Sequence, residues 1–207
     1  MKIAVFGASG KIGSQVVAQL SEKGHELIQI GSRSGDFTAD YTNAESVESL
    51  LKQISPLDAI VVTVGGDSAF KPYQTLTDDD FRFGADRKLV AQFRLVRLAD
   101  QYLRDNGSIT LTSGFLSHYP NTHSIATGPF NAAIDAFVRQ TAPLLTRGLR
   151  INVVSPAPVV EPSRIGEGLV SAEQVARYYV DSIESNTTGN VYRAWGGLTA
   201  PAQKFSE

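Results

Sequence analysis

The sequence predicts a single-domain α/β fold in which helices cover both faces of a doubly wound, mostly parallel sheet. Apolar runs of strand length alternate along the chain with amphipathic segments of helix length. Ile60-Val61-Val62 and Ile151-Asn152-Val153-Val154 are mostly apolar at odd and even positions alike, which is typical of strands covered on two faces. With 207 residues, 42% of them hydrophobic, and no linker, the chain is expected to form one domain over residues 1–207.

The predicted strands and helices alternate in the order that parallel sheets require. Strands are expected at residues 2–6, 26–30, 36–39 (the weakest), 59–64, 108–112, 150–154 and 191–194. Helices are expected at residues 11–23, 44–54, 81–103, 131–145 and 172–184. The only long irregular stretch, residues 156–168, is rich in Pro and Gly and follows the end of a strand. Open sheets of this kind bind their ligands at the carboxyl ends of the strands.

Composition favours small molecules as partners. The chain has 19 Lys and Arg against 21 Asp and Glu, so nothing in its net charge of −2 suggests binding to nucleic acid or to an anionic membrane. It has no cysteine, which excludes disulfides, thiolate metal sites and a cysteine nucleophile. No charged leader with a long apolar run precedes the first strand, and we expect a cytosolic, soluble protein without a metal.

The glycine-rich segment Gly7-Ala8-Ser9-Gly10-Lys11-Ile12-Gly13 joins the first strand to the first helix. Glycines at such a turn let backbone N–H groups approach a pyrophosphate, and the helix N-terminus adds partial positive charge. We therefore predict a dinucleotide-binding turn of the Rossmann type. The alternative is a tight strand-to-helix turn that binds no ligand.

The residues after the second strand favour NADP(H) over NAD(H). Arg33 offers a planar cation suited to the additional phosphate, Ser32 a hydroxyl and Lys11 a second positive charge. Arg33 could instead be an ordinary solvated arginine, or could be neutralised by Asp36. Asp40 could accept a hydrogen bond from the adenine amino group or could begin the following turn, and its position alone does not choose between these roles.

With these segments in place, the chain resembles the short-chain dehydrogenase/reductase family over nearly its full length. Four segments match the family's pattern in order: Asp58-Ala59-Ile60-Val61-Val62-Thr63-Val64-Gly65, Gly107-Ser108-Ile109-Thr110-Leu111-Thr112-Ser113-Gly114, Arg150-Ile151-Asn152-Val153-Val154-Ser155-Pro156-Ala157-Pro158-Val159, and Gly189-Asn190-Val191-Tyr192 with Gly196-Gly197. The resemblance implies that Gly65 and Gly66 border the cofactor and that the backbone at Pro156 and Val159 holds the nicotinamide carboxamide.

The resemblance breaks down at the catalytic residues. Typical members use Asn, Ser, Tyr and Lys, the last two spaced as Y-x-x-x-K, and no such motif occurs in this chain. Alignment puts Thr127 at the tyrosine position, Asn131 at the lysine position and Lys88 at the asparagine position, with Ser113 one residue before the usual serine. The chain is similar to a divergent branch that lacks the tyrosine. These four residues are the candidate catalytic groups, and Lys88 is also a candidate for the nicotinamide ribose.

Protonation decides what such a site could do. A threonine hydroxyl such as that of Thr127 is too weak an acid to protonate an alkoxide, although the cofactor still supplies hydride. Lys88 could replace the acid or could be an exposed helical lysine, and Ser113 could bind substrate or only stabilise a turn. His118, Tyr119 and His123 fall in a segment that borders the active site in this architecture, and we expect them to be loop residues.

We therefore predict an NADP(H)-dependent oxidoreductase that acts on a small carbonyl or alcohol. The alternative is an NADP(H)-binding sensor or regulatory module that has lost catalysis. A lyase or epimerase on the same fold has no supporting motif. The family usually pairs through two long helices, and their counterparts here at residues 81–103 and 131–145 imply a homodimer or homotetramer.

Overall fold

The computed structural model describes residues 1–65 and 68–201, and in these residues one sheet of seven parallel strands forms the centre of the molecule. The strand order is β3-β2-β1-β4-β5-β6-β7. The strands are β1 (Lys2–Phe6), β2 (Glu26–Gly31), β3 (Phe37–Thr38), β4 (Leu57–Val62), β5 (Leu103–Thr112), β6 (Arg150–Pro156) and β7 (Val191–Ala194). The helices are α1 (Lys11–Glu22), α2 (Ala44–Ile54), α3 (Asp78–Gly84), α4 (Ala91–Ala99), α5 (Gly128–Thr141) and α6 (Ala172–Glu184). The predicted fold class is confirmed.

Two hydrophobic cores lie on opposite faces of the sheet. Alternate residues of β1 enter different cores, with Ala4 and Phe6 on one face and Ile3 and Val5 on the other. Helices α2, α4 and α5 cover the first face, and α1 and α6 cover the second. Strands buried on both faces explain the apolar runs in the sequence. The chain winds outward from the boundary between β1 and β4, so the loops after these strands diverge and leave a crevice at their carboxyl ends.

The fourth strand ends two residues earlier than predicted. It spans Leu57–Val62, and the side chain of Thr63 turns back to the carbonyl oxygens of Phe6 and Gly7 at 2.8 and 3.1 Å. Gly65 follows with a φ of +108°, which carries the chain away from the sheet. The end of β4 is thus tied to the glycine-rich turn after β1.

The helix predicted at residues 81–103 is wrong in two respects. The helical stretch begins at Asp78, where Thr77 and Asp80 form a capping box, and it ends at Ala99. Leu103 belongs instead to β5, where it pairs with Leu57. A π-helical turn at Ala85–Val90 interrupts the stretch and separates α3 from α4. A search for the α-helical period of 3.6 residues could not reveal this turn, because its hydrogen bonds join residues five apart instead of four.

The helix predicted at residues 131–145 begins three residues earlier and ends four residues earlier than expected. It begins at Gly128, with Thr127 as its N-cap residue and a proline in the first turn, and it ends at Thr141. A short 3-10 turn, Ala142–Leu144, follows it. This placement puts Thr127 just before the helix and Asn131 in its first turn, where both face the carboxyl edge of the sheet.

Candidate active site

In the glycine-rich turn after β1, the backbone packs so closely that a side chain would not fit at Gly7 or Gly13. Gly7 has a φ of +83°, and the Gly10 N–H donates to its carbonyl at 2.9 Å. A Cβ added at Gly13 would lie 2.1 Å from that same carbonyl oxygen. Ile12 packs against the core beneath the turn. Because these glycines hold the backbone close, the first turn of α1 presents its N–H groups at the edge of the sheet, as a phosphate cradle requires.

A cavity of about 190 Å³ adjoins this turn on the side of β2. Its lining includes Gly7, Ser9, Gly10, Gly31, Ser32, Ala39 and Tyr41. Arg33 is exposed and follows the lining residue Ser32 in sequence. The carboxylate of Asp36 accepts from the Gln29 N–H at 2.8 Å, and no ion pair joins it to Arg33 among the described residues. Asp40 accepts hydrogen bonds from the N–H and hydroxyl of Thr42, so its carboxylate stabilises the following turn.

A second cavity, of about 290 Å³, separates the glycine-rich turn from the loop after β6. Lys11 lines it from one side and Val159 from the other. Both cavities border the N-terminus of α1, where the resemblance places the cofactor. Gly66, which the resemblance also assigns to the cofactor, lies outside the described residues.

A third cavity, of about 330 Å³, lies at the carboxyl ends of β5 and β6. All four candidate catalytic residues line it, together with Pro156 and a largely apolar wall. The polar lining consists of Lys88, Ser113, Asn121, Thr127 and Asn131, and the apolar lining includes Phe70, Phe115 and Leu116. Residues that are distant in sequence therefore meet around one space large enough for a small organic substrate.

Lys88 is buried and is not the exposed helical lysine that the sequence allows. It is 5% exposed and comes from the π-helical turn. Its Nζ donates to the carbonyl of Gly65 at 2.9 Å and to that of Ser113 at 3.4 Å. Burial lowers the pKa of Lys88 to about 8, and the negative charge of Asp135 opposes that change. Its ammonium group can therefore lose a proton close to neutral pH.

Gln92, one helical turn after Lys88, fixes the position of that lysine. Its side-chain N–H group donates to the carbonyls of Lys88 and Thr112, both at 2.9 Å, and its oxygen accepts from the Thr112 N–H at 3.0 Å. The buried amide thus ties the helical stretch to the end of β5. The sequence pattern indicates only that Gln92 belongs to the packing face of the helix.

The other candidate residues differ in how their polar atoms are engaged. Thr127 shares a hydrogen bond of 2.5 Å with the Ser68 hydroxyl. The Ser113 Oγ and the Asn131 Oδ1 are buried and have no hydrogen-bond partner among the described residues. A Cβ at Gly114 would lie 2.9 Å from the Asn131 Nδ2, so the residue after Ser113 packs directly on the Asn131 amide.

Sequence reasoning missed Asp135, which lies behind this pocket on α5. It is 3% exposed, and burial raises the pKa of its carboxyl group. The Ser113 hydroxyl lies close enough to oppose that rise, yet the Asp135 Oδ1 completes no hydrogen bond with the described residues. The sequence signal that could have identified Asp135 is its position four residues after Asn131, because residues four apart share one face of a helix.

His118, Tyr119 and His123 do not line the third cavity. The His118 ring lies 5.0 Å from the Trp195 ring, and the Tyr119 hydroxyl donates to the carbonyl of Thr199. His123 stacks on Phe70 with ring centroids 5.9 Å apart. These contacts join loops around the pocket.

Comparison with known proteins agrees with this architecture. A family model described as Enoyl-(Acyl carrier protein) reductase matches residues 1–191. The hydroxynaphthalene reductase-like protein Arp2 of Metarhizium brunneum is 29% identical over 181 residues, which cover 75% of this chain and 67% of that protein. The crystal structure of the protein lin1944 from Listeria innocua is 37% identical, with a TM-score of 0.88 over 94% of this chain and 100% of that one. A small-chain dehydrogenase solved in complex with NADPH is 24% identical, with a TM-score of 0.85 over 95% of this chain and 97% of that one.

A parallel sheet with a glycine-rich turn after β1 and a pocket beyond β5 and β6 is the arrangement of the doubly wound nucleotide-binding folds. The chain belongs to the short-chain dehydrogenase/reductase family. Among the described residues, no group of acidic or histidine side chains could hold a metal ion, and no helix has both the length and the apolar character needed to cross a bilayer.

Proposed function

We propose that this protein is an NADP(H)-dependent oxidoreductase that reduces a small carbonyl compound, or oxidises the corresponding alcohol, in the third cavity. The observation that carries the proposal is the buried ammonium group of Lys88, which lines the same cavity as Ser113, Thr127 and Asn131. A positive charge is costly to bury, and perturbed groups of this kind concentrate at functional sites.

The cofactor would extend along the glycine-rich turn. Gly7, Ser9, Gly10, Ile12 and Gly13 would hold the pyrophosphate, while Lys11, Ser32 and Arg33 would bind the 2′-phosphate. Asp40 remains a candidate to bind the adenine, and Gly65 remains a candidate to border the nicotinamide half of the cofactor. The backbone at Pro156 and Val159 would hold the nicotinamide carboxamide. The nicotinamide ring supplies the hydride. The dehydrogenase complex with NADPH in the same fold supports the choice of NADP(H).

Lys88 would provide the proton in place of the missing tyrosine. An acid works best when its pKa lies near the working pH, and burial brings the pKa of Lys88 to about 8. Two of its three N–H groups donate to the Gly65 and Ser113 carbonyls, which leaves the third for the cavity. Ser113 and Asn131 would contribute polar groups behind the substrate site, and Thr127 would hold the entrance through Ser68.

The lining of the cavity favours a flat, apolar substrate. Phe70, Phe115 and Leu116 line the cavity together with its polar residues. The relatives named as hydroxynaphthalene reductases suggest that bicyclic aromatic ketones belong among the substrates tested.

The second candidate is an NADP(H)-binding sensor or regulatory module. It is favoured by one observation: the described lining of the third cavity contains no tyrosine, and the Thr127 hydroxyl is already engaged with Ser68. Such a protein would bind the cofactor tightly without reducing any ketone.

Calorimetry with NADPH and NADH, followed by NADPH oxidation with tetralone and cyclohexanone, tests these proposals. We expect tighter binding of NADPH, and a loss of about tenfold or more in that preference in Arg33→Ala but not in Arg82→Ala. Turnover should fall by about 10²-fold or more in Lys88→Met and persist in Lys52→Met, whose lysine is exposed on α2. Tight NADPH binding with turnover no faster than free NADPH would instead support the sensor, and no binding would reject both functions.

We also propose that the protein self-associates through an apolar groove of about 620 Å³ between α4 and α5. Its lining includes Phe93 and Phe137, whose rings stack at 3.8 Å, and the exposed Leu144. This groove lies away from the carboxyl edge of the sheet, so self-association would leave the active site open. A cytosolic location remains part of the proposal.

A further inference from the structure

Three buried oxygen atoms behind the third cavity have no hydrogen-bond partner among the described residues. They are the Ser113 Oγ, the Asn131 Oδ1 and the Asp135 Oδ1, in residues that are 2–3% exposed. Buried polar atoms in folded proteins are nearly always hydrogen-bonded, so three such atoms in one region need an explanation.

The fold gathers these atoms between α5 and the end of β5. Asn131 and Asp135 are one helical turn apart and face the sheet together. The Asn131 amide packs on the backbone at Gly114, and the Ser113 hydroxyl lies beside the Asp135 carboxyl group. The three side chains therefore enclose one small polar region.

The chemistry of the three groups requires a further donor. An amide oxygen and a carboxylate oxygen accept hydrogen bonds, whereas the serine hydroxyl has only one proton to donate. The Ser117 hydroxyl also lies near Asp135, but it donates to the Gly114 carbonyl at 3.1 Å. A water molecule with two donors fits the remaining need. Such a water would join Asp135 to the residues that line the cavity.

Asp135 also acts electrostatically on a buried base and on a half-buried imidazole. Its charge opposes the fall in the pKa of Lys88, with no ion pair joining the two groups, and the Lys88 Nζ donates to the Ser113 carbonyl at 3.4 Å. Its charge also opposes the fall in the pKa of His118, which is half-buried and follows the 3-10 turn Phe115–Ser117. The remaining charged group near it is Arg139, one turn further along α5, while Arg193 faces His118.

We propose that Asp135 is a positioning residue that, with a water held by Ser113 and Asn131, returns protons from solvent near His118 to Lys88. The inference rests on the proposed role of Lys88 as proton donor. Each reduction moves one proton from the Lys88 ammonium group to the substrate alkoxide and leaves a neutral amine. One solvent proton, passed along the Asp135 carboxyl group and the water, restores the ammonium group, so one proton is taken up for each ketone reduced.

The test compares wild type with Asp135→Asn, which keeps the shape of the side chain and removes its charge. Carbon-13 NMR of labelled lysines, with Lys88 assigned from Lys88→Met, measures the pKa of Lys88 without any need for turnover. Because the Asp135 charge favours the ammonium form, Asp135→Asn should lower the pKa of Lys88 by about 1. The fall of kcat at high pH should move to lower pH by a similar amount, while Asp135→Glu restores part of the effect.

Two further variants separate a relay from a structural role. Ser113→Ala removes the hydroxyl but keeps the Ser113 carbonyl that holds Lys88, so it should lower kcat and leave NADPH affinity unchanged. Asp181→Asn, which alters an exposed aspartate on α6, should change neither the pKa nor the pH profile. An unchanged pKa of Lys88 in Asp135→Asn would overturn the inference, and so would an unchanged pH profile.

The NMR result keeps this inference separate from the proposed function. If wild type reduces no ketone but Asp135→Asn still lowers the pKa of Lys88, the proposed reductase function fails and the link between the two residues stands. If Asp135→Asn does not fold, as judged from NADPH binding and Tm, Ser113→Ala decides the question: unchanged kcat in that variant rejects the relay.

Discussion

Lys88 shows most directly how one residue links folding to chemistry in this protein. Its ammonium group is held by two backbone carbonyls and is 5% exposed. Removing a charge from water is unfavourable, and two neutral acceptors compensate for only part of that loss. The same burial that weakens the fold brings the pKa into the range that proton transfer needs.

This cost predicts a pH dependence of stability. The pKa of Lys88 is 10.5 in the unfolded chain and about 8 in the folded one, so the folded state binds fewer protons between these values. Stability should therefore rise as pH increases from 8 to 10.5, by about 3 kcal/mol relative to Lys88→Met. Urea unfolding at pH 7, 8, 9 and 10.5 measures the free energy of unfolding. Lys52→Met, at an exposed position, should show no comparable gain, and parallel curves for wild type and Lys88→Met would contradict the prediction.

At the scale of elements, the connections between strands and helices decide where the site residues lie. The π-helical turn before α4 carries Lys88, and the N-terminus of α5 carries Asn131 one turn before Asp135. Both elements meet the end of β5, where Gln92 binds Thr112. Small changes in where a helix begins would thus move the candidate catalytic groups relative to one another.

The glycine-rich turn gives a test at this scale. In Gly13→Ala the new Cβ would meet the Gly7 carbonyl oxygen at 2.1 Å, so the first turn of α1 must move. We expect a loss of about 2–4 kcal/mol in the free energy of unfolding and a weakened affinity for NADPH. Gly166→Ala is the matched control, because no described atom lies within 4 Å of the position that its new Cβ would occupy. Equal stability and affinity in the two variants, measured by urea unfolding and calorimetry, would show that the turn is not closely packed.

At the scale of the whole molecule, three features lie in different places around the sheet. The cavities lie at its carboxyl edge, the hydrophobic cores lie on its two faces, and the apolar groove lies between α4 and α5. Because the groove and the cavities lie in different places, the proposed self-association and the proposed cofactor binding can be tested separately.

The groove predicts an effect on assembly. Leu144 is 76% exposed, and a charge there would oppose burial of the groove against a second copy. Leu144→Glu should weaken self-association by about 10²-fold, whereas Ile165→Glu, at an exposed site elsewhere, should not. Sedimentation at several concentrations measures the change. A wild-type protein that remains monomeric at all of them would contradict the proposed interface.

Much of the fold is predictable because its signals are local. Strand β1 and helices α2 and α6 begin and end at the predicted residues, since apolar periodicity and flanking turn residues mark them. The interrupted helix before β5 is not predictable, because a π turn leaves the composition of the segment unchanged. The predicted helix extended to Leu103, although pairing with Leu57 places that residue in β5.

By itself the sequence determined the order of strands and helices, the glycine-rich turn and the absence of a Y-x-x-x-K motif. These features depend on residue type and spacing, which the chain carries without folding. Only the tertiary structure decided that Lys88 is buried, that Gln92 binds its carbonyl and that Asp135 is buried on α5. Those properties depend on how α4 and α5 are rotated against β5, and that rotation is set by packing between segments far apart in the chain.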